Sequence, residues 1–359
     1  MKFIEGMKSS NIAVSEENAT ALTRSTGIWH AVTTKLKPYV EYIKKTCVWL
    51  NRLANQEHLN FVWVYWDYLW AVALHRCLIR QYVIGEFWKL SNPERRKRLT
   101  YSRMVKLFDK YNNQKFIHFL NEKQEFNAYF KQFVHRDWLY VRSATKDELE
   151  AFLLKHDTVI IKPVDGVEGG GVRKFVLSES RELSIAELYT KLQEEDVLVE
   201  EVIKQHPQMV FGNASVNTIR THTILDPKGK AHVVKAILRA GVGNTVVDNY
   251  CQGGAIYEVD LKTGIVCTYG QSKNNAKSYV HPGTDIVMLG YKIPNWDIVV
   301  KQSELAAEQL PQIRIIGWDI AITEKGIELI EGNHNPDYEL FEFLGSTGYY
   351  AKIKSIIES

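Results

Sequence analysis

Lys162 stands where an apolar run, Thr158–Lys162, meets a loop rich in glycine. The loop carries Gly166, Gly169, Gly170 and Gly171. Glycine lets backbone N–H groups approach phosphate oxygens without side-chain obstruction, and a lysine adds a positive point charge. The segment therefore predicts a flap that closes over a nucleotide triphosphate, although a glycine-rich hairpin with an exposed lysine would have the same composition.

Asp319, Glu331 and Asn333 carry oxygens that would suit a hard divalent cation. Two β-like runs flank a Thr-Glu-Lys-Gly turn, which is typical of a hairpin. Glu331 and Asn333 leave the same face of a strand, and a loop of odd length would place Asp319 across from Glu331. Such oxygens suit Mg²⁺ that bridges substrate phosphates. Ordinary solvent-exposed acids would account for Glu324 and Glu328 but not for Asp319, because its apolar surroundings make burial without a cation costly.

Arg220 and Arg239 lie in two β-like runs that we expect to form adjacent strands. Two guanidinium groups on one surface can clamp a phosphate and stabilise a phosphorylated intermediate. A strand arginine is more often half of a surface ion pair, and this alternative stays open. For Arg239 the glycine-rich loop that follows, with Asp248 and Asn249, favours a ligand site.

The segment Val197–Ile203 predicts a strand that leaves the flap region. Its backbone could form hydrogen bonds along the edge of an adenine ring. The carboxylate of Glu200 or of Glu201 could bind a ribose hydroxyl, and the residues alone do not decide between the two.

The elements that position these residues change in character along the chain. Residues 29–56 and 60–90 have apolar side chains at helical spacing, which predicts long helices. From Thr158 onward, β-like runs alternate with glycine turns, and the expected strands are 158–162, 173–177, 197–202, 215–225, 231–239, 256–260, 315–322 and 327–331. The expected helices in this part are Ser184–Glu195, Ser303–Leu310 and Ser346–Ile357. This order predicts an α+β fold with antiparallel sheets behind a helical region.

Composition limits the class of protein. With 359 residues, of which 45% are hydrophobic and 24% charged, the chain can form two or three globular domains. Its net charge of +3 gives no argument for a nucleic-acid partner. The four cysteines form no C-x-x-C pair, which is typical of reduced thiols in the cytosol. The first residues lack the apolar core of a signal peptide, so we expect a cytoplasmic location.

Two N-terminal segments raise the question of membrane contact. The apolar run 60–74 is interrupted by Asp67 and is too short and too charged to span a bilayer. We expect a buried helix, with peripheral membrane docking through its tryptophans as the alternative. The basic cluster Arg95–Arg98 predicts a solvated helix surface, with a phosphate or headgroup contact as the alternative.

Taken in order, the motifs resemble the ATP-grasp superfamily, and more narrowly its sugar-transfer-associated branch, from about Phe61 to the C-terminus. They are Asn121-Glu-Lys123, Lys162-Pro-x-x-Gly-x-x-Gly-Gly-Gly, Val-Glu-Glu201-Val-Ile-x-Gln-His206, Ser-Val-Asn217-Thr-Ile-Arg220, Arg239 with Asp248-Asn249-x-x-x-Gly-Gly, and Asp319 with Glu331-x-Asn333. Only their ordered combination is specific. The resemblance implies an ATP-grasp fold, in which two α+β subdomains clasp ATP. Its segments would be a helical region at 1–100, the N-terminal part of ATP-grasp at 101–157, a lid at 158–207 and a core with the magnesium site at 208–359.

The resemblance also implies how the nucleotide is bound. Lys123 and Lys162 would contact the α- and β-phosphates, although Lys110, Lys115 and Lys131 lie near Lys123 in the sequence. The flap would contribute Gly169, Gly170 and Gly171. The adenine hinge would comprise Glu200, Glu201, Val202 and Ile203, with His206 near the ribose.

The remaining implied roles concern the reaction. Arg239 would stabilise the γ-phosphoryl group and then an acyl-phosphate. Two Mg²⁺ ions would be bound by Asp319, Glu331 and Asn333. The acceptor or the phosphate would be held by Arg220 and Asn335, and the loop with Asp248 and Asn249 would face the substrate.

ATP-grasp enzymes phosphorylate a carboxylate and let an amine, or sometimes a thiol, displace the phosphate. The resemblance therefore implies an ATP-dependent carboxylate–amine ligase that uses ATP and Mg²⁺ in surface-polysaccharide or peptide-like metabolite biosynthesis. Its substrates would be small carboxylates and amines derived from sugars or amino acids. Two alternatives stay open: a kinase that phosphorylates a hydroxyl, and a nucleotide-binding scaffold of a glycan-assembly complex. The sequence specifies neither the acceptor nor the oligomeric state.

Overall fold

A computed structural model describes residues 37, 40–164, 170–180, 184–213, 215–243, 253–272, 277–336, 342 and 348–359. The chain divides into two compact units, Met1–Trp70 and Ala71–Ser359. The first unit contains helix α1 (40–56) and most of helix α2 (Phe61–His75). None of the helices in the described ranges combines the length and apolar character that a membrane span requires.

Helix α2 buries one face and exposes the other. Val64 and Tyr68 are buried, whereas Trp63, Trp66 and Trp70 are exposed. The expectation of a buried helix is therefore wrong for the tryptophan face. Large apolar residues lie on more than one side of this helix, and only one side is covered by described residues.

The second unit begins with short helices. They are α3 (Ile79–Ile84), α4 (Asn92–Lys97), α5 (Tyr101–Tyr111), α6 (His118–Asn121) and α7 (Lys123–Tyr129). The basic cluster Arg95–Arg98 is a solvated surface only in part, since Arg96 and Lys97 are exposed whereas Arg95 and Arg98 are buried. The guanidinium of Arg95 donates to the Phe87 carbonyl at 2.8 Å, and Nη1 of Arg98 lies 2.8 Å from the carboxylate of Glu342. The expected exposure is wrong for these two side chains because they find partners within the fold.

A four-stranded antiparallel sheet, here the lid sheet, carries the predicted flap. Its strands are β1 (Trp138–Tyr140), β2 (Thr158–Pro163), β3 (Arg173–Val176) and β4 (Val197–Glu201), in the order β1-β4-β2-β3. One face packs on α8 (Lys146–His156) and α9 (Ile185–Glu195) through Val159, Ile161 and Val199. Because strand residues alternate, Lys162 and Glu200 lie on the other face.

The lid sheet also includes residues ahead of position 158. The edge strand β1 pairs with β4, and α8 packs on the sheet, although the sequence analysis assigned both to the segment 101–157. Helix α9 confirms its expected cap, since the hydroxyl of Ser184 accepts a hydrogen bond from the backbone N–H of Glu187. The domain boundaries stay a prediction.

A seven-stranded antiparallel sheet, here the core sheet, carries the predicted acids. Its strands are β5 (Thr218–Leu225), β6 (Ala231–Ala240), β7 (Ala255–Glu258), β8 (Gly270–Ser272), β9 (Lys277–Ser278), β10 (Ile315–Thr323) and β11 (Gly326–Asn333). They run in the order β11-β10-β5-β6-β7-β8-β9. Two helices accompany them, α10 (Trp296–Gln309) and α11 (Tyr349–Ile357). The two antiparallel sheets with flanking helices confirm the predicted α+β class.

The two faces of the core sheet differ in chemistry. Ile316, Trp318 and Ile320 of β10 belong to a large apolar core that also includes residues of α7 and α10. Alternation along β10 places Asp319 and Ala321 on the opposite face, which we call the polar face. The polar face is therefore where the candidate side chains must meet.

Candidate functional site

A bulge in the β10–β11 hairpin brings the two predicted acids together. The turn between the strands has two residues, so regular pairing would set Asp319 opposite Ile330. The register shifts by one residue beside Asp319, so that Asp319 lies opposite Glu331 and Gly317 opposite Asn333. The expected odd-length loop is absent from this described hairpin, but the bulge supplies the extra residue and the predicted alignment is confirmed.

Asp319 is buried between two arginines from neighbouring strands. Nη2 of Arg220 donates to Asp319 Oδ2 at 2.6 Å, its Nε donates to Oδ1, and Nη1 of Arg239 donates to Oδ2 at 3.0 Å. Burial by itself would raise the pKa of Asp319, but the two guanidinium groups outweigh it and hold the pKa below its ordinary value. The apolar surroundings of Asp319 predicted a cation beside this acid, and the two arginines provide that positive charge. Arg220 and Arg239 form a buried cluster with Asp319 and are not halves of surface ion pairs.

Glu331 lies at the open edge of the same cluster. Its side chain is 46% exposed and 3.9 Å from Nη2 of Arg220, and Asn333 Nδ2 donates to Glu331 Oε1 at 3.3 Å. Partial burial and then the negative charge of Asp319 raise the pKa of Glu331. Two carboxylates and an amide thus share one face, with one acid incompletely compensated.

These donors fit a hard divalent cation. Carboxylate and amide oxygens are the ligands that Mg²⁺ prefers, and a cation would relieve the repulsion between Asp319 and Glu331. The residues that would hold it are Asp319, Glu331 and, through its amide oxygen, Asn333. Asn335 is exposed just beyond β11, and the predicted substrate residues Asp248 and Asn249 lie outside the described residues.

The flap lysine of the lid sheet is held by a carboxylate. Lys162 forms an ion pair with Glu200, whose side chain is 2% exposed. The Lys162 side chain itself is 16% exposed and is therefore less deeply buried than Glu200. Gly171, at the far end of the flap, has a φ of +75°, and a Cβ there would lie 2.7 Å from Pro163 Cγ. Only glycine fits this position; Gly170 is exposed beside it, and Gly169 lies outside the described residues.

Lys123 lies at the start of α7 and reaches the flap strand. Its Nζ donates to the Val164 carbonyl at 3.0 Å, at the point where β2 ends. Of the competing lysines, Lys110 pairs with an acid near the C-terminal end of the chain, and Lys115 and Lys131 are exposed. This placement supports the choice of Lys123, whose phosphate contact stays a prediction.

The predicted adenine hinge connects the two sheets. Residues 202–203 are half-buried and follow β4 without regular structure. The backbone N–H of His206 donates to the Ile322 carbonyl of β10 at 2.8 Å, so the hinge ends against the strand that carries the acids. The carboxylate of Glu201 accepts from the backbone N–H of Asp137 at 3.2 Å.

A buried network around Arg136 was missed by sequence reasoning. Nη2 of Arg136 donates to Glu200 Oε1 at 3.1 Å, and its Nη1 donates to Glu328 Oε1 at 2.7 Å. Asn127 Nδ2 also donates to Glu200 Oε1, at 3.0 Å. Arg136 and Asn127 belong to no motif, so nothing in the sequence pointed to them. The expectation that Glu328 is a solvent-exposed acid is wrong, because its side chain is 5% exposed and bound by Arg136.

The network and the acid cluster lie on the same face of the core sheet. Glu328 pairs with Ala321, which is two residues from Asp319 along β10 and therefore on the polar face. Two residues of a strand span roughly 7 Å. The network that includes Glu200, the partner of Lys162, thus meets the polar face close to Asp319. This proximity is what a cleft shared by the lid sheet and the core sheet would need.

The comparison with protein families agrees with this geometry. Residues 102–358 match the family described as sugar-transfer associated ATP-grasp, and the chain belongs to this family. The predicted resemblance and fold are therefore confirmed. No curated protein sequence matches the chain significantly.

The chain also matches several solved structures at low sequence identity. The ATP-grasp ligase PsnB complexed with minimal precursor is 15% identical with a TM-score of 0.41, over 68% of this chain and 63% of PsnB. An ADP complex of purK, N5-carboxyaminoimidazole ribonucleotide synthetase, is 10% identical with a TM-score of 0.44, over 70% of this chain and 56% of purK. The D-cycloserine synthetase DcsG is 11% identical with a TM-score of 0.42, over 70% of this chain and 78% of DcsG. The chain spans less than two thirds of PsnB and purK.

Proposed function

We propose that the chain is an ATP-dependent carboxylate–amine ligase that works through an acyl-phosphate. The observation that carries the proposal is the cross-strand cluster of Asp319 and Glu331 with Arg220 and Arg239, on the face that also meets the Lys162 network. The cluster combines oxygens for a divalent cation with guanidinium groups for a phosphate, and such positioning and charge neutralisation is what phosphoryl transfer needs.

In this proposal the nucleotide lies between the two sheets. The backbone of residues 200–203 binds the adenine edge, and His206 lies near the ribose. Lys123 and Lys162 contact the α- and β-phosphates, and the backbone of Gly170 and Gly171 covers them. ATP and Mg²⁺ are the proposed cofactors; the metal, when bound to Asp319, Glu331 and Asn333, neutralises phosphate charge.

The proposed reaction has two steps. A carboxylate oxygen of the substrate attacks the γ-phosphorus, which forms an acyl-phosphate and releases ADP. The nitrogen of an amine then attacks the acyl carbon, phosphate leaves, and the amine loses a proton. Arg239, with its guanidinium already directed at the polar face, stabilises the negative charge in both steps, and Arg220 orients Asp319. No protein nucleophile is needed.

The substrate is the least defined part of the proposal. The family description, sugar-transfer associated, supports a sugar-derived substrate. The proposal also includes amino-acid-derived carboxylates and amines, polysaccharide or peptide-like metabolite biosynthesis, and a cytoplasmic location. In this proposal Asn335, which is exposed two residues beyond Asn333, contacts the acceptor.

The test is ADP release from ATP and Mg²⁺ over panels of carboxylates and amines, with mass spectrometry of the product. We expect release to require both a carboxylate and an amine, and hydroxylamine to trap the acyl-phosphate as a hydroxamate. A phosphorylated hydroxyl product would instead identify a kinase. Nucleotide binding without turnover in any mixture would favour the scaffold and contradict the ligase.

A further inference from the structure

We propose that Arg136 is a positioning residue of the nucleotide site, which acts through Glu200 on the ammonium of Lys162. The inference rests on the proposed function for the presence of a nucleotide. Its geometry stands on described contacts alone. Arg136 immediately precedes the lid sheet, its side chain is 3% exposed, and it is therefore too deeply buried to bind phosphate itself.

Both terminal nitrogens of the Arg136 guanidinium donate hydrogen bonds, and its Nε takes part in an ion pair. Nη1 donates to Glu328 Oε1 at 2.7 Å and to the Leu329 carbonyl at 2.8 Å. Nη2 donates to Asn127 Oδ1 and Glu200 Oε1, each at 3.1 Å, and Nε lies 3.0 Å from Glu200 Oε2. A planar fork with five N–H groups can make these contacts together, whereas a lysine offers three donors from a single atom. The site thus requires arginine rather than positive charge alone.

These contacts fasten the base of the lid sheet to the core sheet. Glu200 belongs to β4 of the lid sheet, and Glu328 and Leu329 belong to β11 of the core sheet. The guanidinium of Arg136 binds both strands. If either contact were broken, the buried carboxylate of Glu200 or of Glu328 would lose the positive charge of Arg136. The strand that carries Glu200 is therefore fixed relative to the polar face.

Fixing Glu200 also fixes Lys162. Glu200 pairs with Ile160 across the β2–β4 ladder, and Lys162 is two residues further along β2, on the same face. Burial alone would raise the pKa of Glu200, but Arg136 and Lys162 outweigh it and keep the carboxylate ionised. The ammonium has three donors, so it can keep Glu200 and still donate to a phosphate.

The consequence for binding is preorganisation. A lysine side chain has many rotamers, and ordering it on binding would weaken affinity. Held by Glu200, Lys162 is ordered before the nucleotide arrives. Arg136 then contributes to nucleotide affinity without touching the nucleotide.

The test is a double-mutant cycle on the affinity for ADP with Mg²⁺, measured by titration calorimetry. We expect Arg136→Lys and Glu200→Gln each to weaken ADP binding roughly 3- to 30-fold. In a Lys162→Ala background, each of these substitutions should have little further effect, because the group through which it acts is missing. A merely structural role would produce losses that add to that of Lys162→Ala.

The matched control is Arg314→Lys. Arg314 likewise donates to main-chain carbonyls, of Leu225 and Ile357, where β10 begins. Urea unfolding of each variant measures the stability lost. We expect Arg314→Lys to lower the free energy of unfolding and to leave ADP affinity unchanged.

The outcomes separate this inference from the proposed function. Wild-type protein that does not bind ADP would overturn the nucleotide site itself. Wild-type binding with unchanged affinity in Glu200→Gln, or with additive losses in the cycle, would overturn the positioning role alone. If Arg136→Lys does not fold, the cycle between Glu200→Gln and Lys162→Ala decides the matter, because glutamine keeps the shape of the side chain and the hydrogen bonds to Oε1.

Discussion

Glu200 and Asp319 are two buried carboxylates that the chain compensates in different ways. Each is bound by two cations, and in each case those cations keep the pKa below its ordinary value against the effect of burial. Of the cations of Glu200, Arg136 bridges the two sheets and Lys162 lies on β2 of the lid sheet. Those of Asp319, Arg220 and Arg239, both lie within the core sheet, on β5 and β6.

The difference lies in what surrounds each pair. Each cluster contains two acids and two cations, but around Glu200 both acids are buried and each is paired directly with the buried Arg136. Beside Asp319, a further acid, Glu331, stays half exposed with a raised pKa. A covered network is suited to hold elements in place, and an open one with an incompletely compensated acid is suited to receive a cation.

Replacing Asp319 should have the largest effect, because it removes both the ligand and the partner of two arginines. We expect Asp319→Asn to reduce Mg²⁺-dependent ADP release by more than about 100-fold. It should also lower the free energy of unfolding by about 3–5 kcal/mol, since Arg220 and Arg239 lose their buried carboxylate. Turnover assays and urea unfolding check the two effects. Native stability in this variant would show that the arginines do not depend on Asp319.

Glu331→Gln separates the ligand role from the structural one. We expect a similar loss of turnover, more than about 100-fold, because a proposed metal ligand is removed. Stability should behave differently. A raised pKa means that the contribution of Glu331 to stability is present at low pH and is lost as pH rises through that pKa, so a neutral glutamine should not destabilise the metal-free protein at pH 7.

The control for this comparison is Glu324→Gln in the exposed turn of the same hairpin. It removes one acid from the hairpin without touching the cluster and should leave both turnover and the thermal midpoint unchanged. Near-native turnover in Glu331→Gln would contradict the metal site.

Lys162→Ala tests the second cluster of the comparison, the network around Glu200. Charge-assisted hydrogen bonds contribute about 1.5–3 kcal/mol, so we expect ADP affinity to fall roughly 10- to 100-fold. The fold should persist, because Glu200 keeps Arg136 and Asn127 as partners. Calorimetric titration and circular dichroism measure the two. Unchanged affinity would count against the flap assignment.

The sequence predicted the strands that carry motifs well. It predicted poorly which buried charges are paired with residues far away in the chain. Strand β10 and the pairing of Asp319 with Glu331 were foreseen, because alternation and a hairpin turn are local signals. The bulge that produces this pairing was not, since nothing about Ile330 marks it as the unpaired residue. The burial of Arg98 also escaped prediction, because its partner Glu342 lies more than 200 positions away.

The same limit applies to the hairpin acids themselves. Glu324 and Glu328 look alike in sequence, yet one is exposed in a turn and the other is bound by Arg136. The deciding contact comes from a residue that precedes β1 and carries no motif. The local sequence pattern therefore indicated the candidate site, and tertiary contacts decided which acids of the hairpin remain exposed.

The pH dependence of metal binding should show the smallest effect and the finest distinction. Mg²⁺ binds the ionised carboxylate, and the pKa of Glu331 is raised while that of Asp319 is lowered. Mg²⁺ affinity should therefore be constant above the pKa of Glu331 and fall by up to about tenfold per pH unit below it. Asp319 stays ionised through this window and should add no second slope.

Calorimetric titration of Mg²⁺ in the presence of ADP, at a series of pH values, measures this dependence. The slope should begin above the ordinary pH range of a glutamate and should be absent from the weaker binding of Glu331→Gln. A slope that persists in this variant would assign the proton to another group. A transition at the ordinary glutamate pKa would mean that Asp319 and Glu331 do not repel each other. That repulsion is what distinguishes this cluster from the buried network around Glu200.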